Sequence, residues 1–455
     1  MVLGGYPPYT ILLVLGLGLP LALLRPYWAF LGVVLFVTAG HVSMLNQTRA
    51  PGLVPLLNLM HSCMLVALLA CFFDRVGGRK PIWMPPIVGL MVSVIAVATV
   101  QTVWSSGWRP ETMQACRGAL DFPLAYFLGA NMVTSEGRLR KLIHVLVAGT
   151  LLASLQHVSV AANIWRTKSL DMESYNVMRT IGFWAGCMPS AFLAAAAIWP
   201  MPRRIMTRIL AVVAGLLLLA SLFLNQTRSL WLATILAAGF VVALFKKRNR
   251  VKTVLVLGVS FVILFSVLGW LGQIFLPGIS VFEIAADRAD DLLHNDVHIG
   301  TRARSFVAEM TQWCDGTLIF GRGLSFFDAI ENSEDSSRHI AFNHLGYVTY
   351  LSQLGIIGFL VYGMCLPLGV LRNGLWLWRN GESGTLCYLA LIGTASIICL
   401  SILFSMSGHF LLRGYEPTGV LYGAMWALAK RSPDVRESVV QPFEEDDIGN
   451  VHALA

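Results

Sequence analysis

The sequence predicts an all-α polytopic membrane protein with 12 or 13 transmembrane helices and one long outer loop of short helices. Of its 455 residues, 56% are hydrophobic and only 13% are charged, and the mean hydropathy is +0.68. These values lie outside the range of soluble globular proteins. Apolar windows of about 17 to 25 residues, which suffice to cross a bilayer, fill most of the chain. A soluble enzyme is therefore excluded.

Each predicted span is a mostly apolar run bounded by charged or turn-forming residues. The first run is short and contains Pro20, so the count is 12 without it and 13 with it. In chain order the spans cover residues 10–24, 27–45, 52–73, 82–104, 115–133, 141–163, 180–200, 208–225, 229–245, 253–276, 344–371, 385–407 and 411–429.

Loop charge predicts which ends of these spans are cytoplasmic, because short loops rich in Lys and Arg stay inside. Five basic clusters recur at alternate loops: Arg75/Arg79/Lys80, Arg138/Arg140/Lys141, Arg203/Arg204/Arg208, residues 246–252 and Lys430/Arg431. The intervening loops are then outside: 46–51, 105–114, 164–179, 226–228, 277–343 and the stretch around 408–414.

The outer cations are almost all arginines. Of the 33 Lys and Arg residues, 20 fall inside and 13 outside, and Lys168 is the one outer lysine. The arginine fork binds phosphate oxygens bidentately, so this bias favours a phosphate or pyrophosphate ligand on the outer side. The alternative is compositional, because arginine outnumbers lysine in the whole chain. We interpret the net charge of +8 as cations that face anionic lipid head groups. The sequence shows no basic soluble module that could bind nucleic acid.

Four regions follow from this pattern: an N-terminal transmembrane bundle (1–276), an outer loop with site residues (277–343), C-terminal transmembrane helices (344–430) and a disordered cytoplasmic tail (431–455). A loop of about 65 residues between two spans is far longer than usual, which predicts that it carries function. Within it, the Gly, Ser and acid-rich stretch 321–339 predicts an irregular segment suited to a lid.

Three candidate groups stand near the outer ends of the spans. His344 opens an apolar helix, where a histidine that titrates near neutrality can take a proton from a hydroxyl, or can be a solvent-capped helix start. Arg302 and Arg304 lie in the long loop. Arg228 lies in a hairpin of a few residues with no acid within one helical turn, so it needs an anionic partner: a ligand phosphate, a lipid head or a distant acid.

Further candidates rank second. Arg117 has Asp121 four residues on, so a structural ion pair is the favoured interpretation there. His409 and Arg413 lie at the outer ends of the last two spans and could line the same cavity. Arg49 precedes an Ala-Pro-Gly turn, which favours a loop arginine near the interface over a site residue. The acids and histidines between 287 and 298 match no tight ligand spacing, so a solvated helix face is favoured over a metal site.

Three motifs resemble the O-antigen ligase and O-antigen polymerase (WaaL/Wzy) superfamily of polytopic membrane glycan transferases. "NQTRSLW" resembles its T-x-S-R-x-x-W hairpin and offers Arg228. "GTRARSFVAEMTQWCDGTLIFGRGLSFF" resembles its G-S-R-x-x-x-W loop with a G-x-G turn, and offers Arg302 and that turn. "HLGYVTYLSQLGIIG" resembles its H-[NSQ]-x9-G-x-x-G helix, with His344 as the catalytic histidine and Gly355 and Gly358 as the glycines.

The resemblance implies a metal-independent, cofactor-free enzyme of the bacterial inner membrane whose active site faces the periplasm. It implies inverting transfer of an undecaprenyl-diphosphate-linked glycan to a hydroxyl of a glycan or lipid A core acceptor. Other polysaccharide-assembly membrane proteins are compatible partners. Leu345 replaces the polar residue that follows the histidine in ligases, Phe306 replaces a tryptophan, and the proline before the G-x-G turn is missing. These departures favour a repeat-unit polymerase over a ligase and leave a protein O-oligosaccharyltransferase open.

A transporter or flippase for polyprenyl-linked glycans is the competing class, because it shares the hydropathy and could also display arginines. It predicts titratable residues near the membrane midplane and inverted halves. Neither pattern is apparent in the sequence, and the charges collect on one side, so a transferase is favoured.

Overall fold

The computed structural model describes residues 9–40, 59–107, 110–167, 187–198, 204–224, 228–245, 318–324, 346–406 and 415–438, with single residues 266, 307, 310, 311, 313 and 314. For residues 105–106, 110–115, 161–167, 223–224, 228, 349 and 431–438, the backbone alone is described. Within this part of the chain the elements are helices and none is a strand, which confirms the all-α prediction.

Thirteen α-helices follow one another along the described residues, and a short π-helical segment, Leu360–Cys365, joins α10 to α11. Their bounds are α1 (Tyr9–Leu24), α2 (Pro26–Ala39), α3 (Leu59–Gly77), α4 (Pro86–Ser106), α5 (Pro110–Met132), α6 (Glu136–Thr167), α7 (Cys187–Ala196), α8 (Ile205–Leu224), α9 (Arg228–Phe245), α10 (Gly346–Phe359), α11 (Leu366–Asn380), α12 (Gly384–Met406) and α13 (Glu416–Ser438).

The predicted spans coincide with these helices, except for the window 253–276, which lies outside the described residues apart from residue 266. Two helical stretches run nine residues past their predicted ends. The window 344–371 continues as α10, the π-helical segment and α11 as far as Asn380, and α13 continues through Ser438 into the region predicted as a tail. Residues 439–455 of that tail lie outside the described residues.

Six of the described helical stretches are long and apolar enough to cross a membrane: Leu59–Gly77, Pro86–Trp104, Glu136–Val160, Ile205–Leu222, Tyr350–Asn380 and Gly384–Ser405. Four shorter apolar helices accompany them: Tyr9–Leu24, Pro26–Ala39, Cys187–Ala196 and Ser229–Phe245. In α8, only 22% of the spanning window is buried by protein, so apolar side chains such as Ile205, Ile209 and Val213 remain exposed. Large exposed apolar surfaces of this kind belong in lipid, and the chain is a multi-pass membrane protein.

Helix α12 is central, because 72% of its spanning window is buried. Helices α5 and α13 are each 23 residues long but more polar, and they pack closely side by side. Gly419 lies against Phe122, and Gly423 lies so close to Tyr126 that a Cβ there would collide with the Tyr126 carbonyl oxygen. The equal step of four residues on both helices shows that α5 and α13 run in parallel, with small residues allowing the approach.

Contacts between helices join ends that loop charge assigns to the same side. At ends predicted as inner, the Arg138 guanidinium donates two hydrogen bonds to the Asp74 carboxylate, at 2.7 and 3.0 Å. At ends predicted as outer, His157 Nδ1 of α6 lies 2.9 Å from Ser221 Oγ of α8. The helix arrangement thus agrees with the alternation predicted from charge.

A polar network ties together α2, α3, α5 and α6 at the end predicted as cytoplasmic. Arg75, only 2% exposed, donates to the carbonyl oxygens of Asn131 and Pro81. The Asn131 side chain accepts from the Trp83 backbone N–H and donates to its carbonyl, each at 2.8 Å. Arg138 also lies 4.7 Å above the Tyr27 ring. A buried guanidinium is tolerated here because backbone carbonyls take its donors.

Candidate functional site

The structure describes the framework of the predicted site more fully than its reactive groups. Arg228 opens α9 with its backbone alone described, and Arg117 lies half-buried on α5. The other predicted site residues lie outside the described residues: Arg49, Arg302, Arg304, His344, His409 and Arg413. Residues that the structure does describe hold the segments next to these predicted site residues.

The hairpin that carries Arg228 is closed by one indole. Trp231 Nε1, one turn into α9, donates to the Leu222 carbonyl oxygen near the end of α8 at 2.8 Å. Thr234, the next turn on, donates to the Leu230 carbonyl and lies 2.7 Å from Ser190 Oγ of α7. The tryptophan in the hairpin motif thus has a physical role: it fixes the two helix ends between which the arginine lies.

Helix α10 is broken at Gly355, whose φ of 66° and ψ of −168° lie outside the helical range. The positive φ suits glycine, because a Cβ in that conformation would strain the backbone. A break of this kind leaves carbonyls and amides of the helix without their i→i−4 partners. Those groups would be costly to bury unpaired in a membrane protein.

A short stretch of the loop predicted as outer, residues 318–324, supplies the missing hydrogen bonds. The N–H groups of Ile356 and Ile357 donate to the carbonyls of Leu318 and Ile319, at 3.1 and 3.3 Å. In return, the N–H groups of Arg322 and Gly323 donate to the carbonyls of Ser352 and Gln353, at 3.0 and 2.8 Å. The loop and the broken helix therefore form one backbone-bonded unit.

This unit explains why glycine stands in the G-x-G turn of the loop and at the break in α10. Gly321 has φ of 71°, and a Cβ on it would collide with the Gln353 carbonyl, while a Cβ on Gly355 would collide with the Ile319 carbonyl. Two glycines on one apolar helix, as at Gly355 and Gly358, predict a close contact between two helices. That expectation is wrong for Gly355, since its close neighbour is the loop, and a Cβ on Gly358 would meet Leu354 of its own helix.

Aromatic rings bring together three helices at the ends that loop charge predicts as outer. Phe404 of α12 lies 6.2 Å from Tyr347 and 5.8 Å from Tyr350 of α10, and 6.2 Å from Tyr415, which precedes α13, measured between ring centroids. Tyr347 follows His344 by three residues, and Tyr415 follows Arg413 by two. The shared position of His344, His409 and Arg413 at one site stays a prediction, and their described neighbours are in contact.

A second polar cluster lies toward the ends of α3 and α5 that loop charge predicts as outer. Asp121 is only 2% exposed, and its Oδ1 lies 3.8 Å from His61 Nε2 of α3. Arg117 lies one turn before Asp121 on the same helix. Glu416, 1% exposed, opens α13. Sequence reasoning paired Arg117 with Asp121 but missed His61 and Glu416, although each is a polar residue at the end of a mostly apolar run.

Comparison with known proteins bears on the C-terminal half of the chain. Residues 213–363 match the Wzy_C family, described as O-antigen ligase. The match covers about a third of the chain, begins in α8 and ends in the π-helical segment. No curated protein matches the chain. The matched interval contains the Trp231 hairpin, the loop unit and the broken helix, and it confirms the resemblance to the O-antigen ligase and polymerase superfamily.

Proposed function

We propose that this protein transfers a glycan from an undecaprenyl-diphosphate carrier to an acceptor hydroxyl at the periplasmic face of the bacterial inner membrane. The observation that carries the proposal is the O-antigen ligase match over residues 213–363. The same interval contains the three motifs of the sequence and the two devices that fix them, the Trp231 hairpin and the loop unit on α10.

Arginines bind the diphosphate in this proposal. Arg228 and Arg302 take its oxygens, with Arg304 as a further ligand, and they stabilise the negative charge that develops as the sugar leaves. Fixed cationic donors aimed at developing charge are among the strongest catalytic devices available to an enzyme. A guanidinium presents paired donors that match phosphate oxygens and stays charged at any working pH. The arginines then carry the charge that a metal ion would otherwise neutralise.

His344 is the general base. Its imidazole takes the proton of the acceptor hydroxyl as that oxygen attacks the anomeric carbon, while the bond from the anomeric carbon to the diphosphate oxygen breaks. Attack opposite the leaving group inverts the anomeric configuration, and the carrier diphosphate leaves with the electron pair. Gly346, which opens α10, follows His344 by two residues in the chain, and the next residue, Tyr347, contacts Phe404.

Arg117, Arg413, His409 and Arg49 are secondary candidates in this proposal. Arg117 is half-buried one turn before Asp121, which lies 3.8 Å from His61, so a structural ion pair remains the favoured interpretation of Arg117 and a site role its alternative. The regions 1–276, 277–343, 344–430 and 431–455 serve as bundle, periplasmic loop, C-terminal helices and cytoplasmic tail.

We favour a repeat-unit polymerase of O-antigen or exopolysaccharide, because Leu345 stands where ligases carry a polar residue. A ligase to lipid A core is the second candidate, favoured by the description of the matched family. Mass analysis of envelope glycans in a deletion strain separates the two. A polymerase predicts loss of all long chains, whereas a ligase predicts long chains left on the lipid carrier. Single repeat units trapped on the cytoplasmic leaflet would indicate a flippase and would contradict both.

A further inference from the structure

Thr102 of α4 makes a buried hydrogen bond to a residue 222 positions further along the chain. The Leu324 backbone N–H donates to Thr102 Oγ1 at 2.5 Å, and the Thr102 hydroxyl donates to the Ala98 carbonyl at 2.8 Å. Thr102 is 0% exposed and Leu324 1%. The hydroxyl therefore serves as acceptor for the loop and donor to its own helix at once, which few side chains can do.

Gly323 lies directly on α4 beside this bond. Its φ is 94°, and a Cβ there would lie 2.5 Å from Thr102 Oγ1 and 2.8 Å from the Ala98 carbonyl oxygen. Only a residue without a side chain fits at this approach. The contact between the loop and α4 is thus made by backbone against helix, and its spacing is set to within a fraction of an ångström.

Three consecutive N–H groups of this turn are bonded in two directions. Those of Arg322 and Gly323 donate to carbonyls of α10, and that of Leu324 donates to Thr102 of α4. The turn therefore joins α10, inside the interval matched by the O-antigen ligase family, to α4, which lies outside that interval. Helix α4 in turn contacts α5, which carries Arg117 and Asp121.

We propose that Thr102 is a positioning residue: through Leu324 it fixes the loop unit and the start of α10 relative to the N-terminal bundle. This inference rests on the proposed function, because the position of α10 matters for catalysis only if His344, two residues before that helix in the chain, is the base. A misplaced base removes the acceptor proton slowly, while the arginines that bind the diphosphate still bind the donor. The loss of the hydroxyl should therefore lower kcat more than it raises the KM for the donor.

Kinetics of three variants test the catalytic part. Thr102→Val keeps the shape and removes the hydroxyl, Thr102→Ser restores it, and Thr99→Val is the matched control one turn earlier. The Thr99 hydroxyl donates to the Ile95 carbonyl of its own helix and lies 3.1 Å from Cys116 Sγ of α5. We expect Thr102→Val to lower kcat about ten-fold with the donor KM within about two-fold, and Thr102→Ser and Thr99→Val to stay near wild type.

Hydrogen exchange of the full-length protein in detergent tests the structural part without any substrate. Faster exchange of amides 321–324 in Thr102→Val, but not in Thr99→Val, supports the proposed link between Thr102 and the loop. Unchanged exchange of these amides overturns it. Faster exchange with an unchanged kcat overturns the positioning role, and so does a kcat loss that Thr102→Ser fails to restore. If the wild-type protein transfers no glycan, the proposed function fails while the exchange result still decides whether this link exists.

Discussion

At Trp231, one indole hydrogen bond closes the hairpin that carries Arg228. Trp231→Phe keeps an aromatic ring, although a smaller one, and removes the donor to the Leu222 carbonyl. We expect glycan transfer by the folded protein to fall several-fold, because the removed hydrogen bond contributes about 1 kcal/mol and fixes the approach of Arg228. Transfer assays on purified protein measure the effect. Trp104→Phe is the control, since Trp104 is 91% exposed, and an equal loss there would contradict the assignment.

At Gly355, the positive φ and the close approach of the loop require a residue without a side chain. Gly355→Ala places a Cβ on a positive φ and against the Ile319 carbonyl, so we expect a loss of at least about 1–2 kcal/mol of stability. A lower melting temperature in detergent, measured by thermal unfolding, is the expected result. Gly239→Ala in α9 is the matched control, because nothing lies within 4 Å of the Cβ it would add. A melting temperature unchanged by Gly355→Ala would contradict the kink.

Sequence reasoning at the residue scale identified the glycines as functional but assigned Gly355 to a contact between helices. The sequence motif shows that a glycine stands at position 355, but it does not show which part of the chain packs against that glycine. Thr102 and His61 were missed for a related reason. Thr102 meets Leu324 across 222 positions, and His61 of α3 meets Asp121 of α5, so only the packed fold brings these pairs together.

At the scale of elements, hydropathy predicted the helices well, because a polypeptide in lipid must satisfy its backbone hydrogen bonds within each span. The break at Gly355 was not predicted, since it depends on a loop that takes over the freed backbone groups. The π-helical segment was not predicted either. Helix α13 is polar mainly because its last nine residues, 430–438, lie beyond the predicted span 411–429, while its contact with α5 is made at glycines.

Contacts at the helix ends predicted as cytoplasmic should stabilise the folded protein without changing the rate of glycan transfer. Asp74→Asn removes the charge that faces Arg138 in a largely buried pair. We expect the melting temperature to fall, with a loss of about 2 kcal/mol, while kcat per folded molecule is unchanged. Glu136→Gln is the control, because the Glu136–Arg140 pair is exposed and 3.8 Å apart, and such pairs contribute little. A lower kcat in Asp74→Asn would show that the two ends are coupled.

For the whole molecule, the account requires that the loop unit and the network around Arg75 lie on opposite sides of the membrane. Trp104→Cys and Glu382→Cys test this in cells whose protein carries serine at the exposed cysteines 314 and 365. A membrane-impermeant maleimide should label Trp104→Cys in intact cells and label Glu382→Cys only after permeabilisation. Labelling of both in intact cells would contradict the predicted topology.

The central claim is that one histidine on the outer side, aided by arginines, performs glycan transfer. It is tested most directly with purified protein and a lipid-linked glycan donor, by comparing wild type with His344→Ala and Arg228→Ala. We predict that His344→Ala lowers kcat at least about 100-fold with little change in the donor KM, since general base catalysis contributes about that much. Arg228→Ala should raise the donor KM and also lower kcat. Full transfer by His344→Ala would contradict the account.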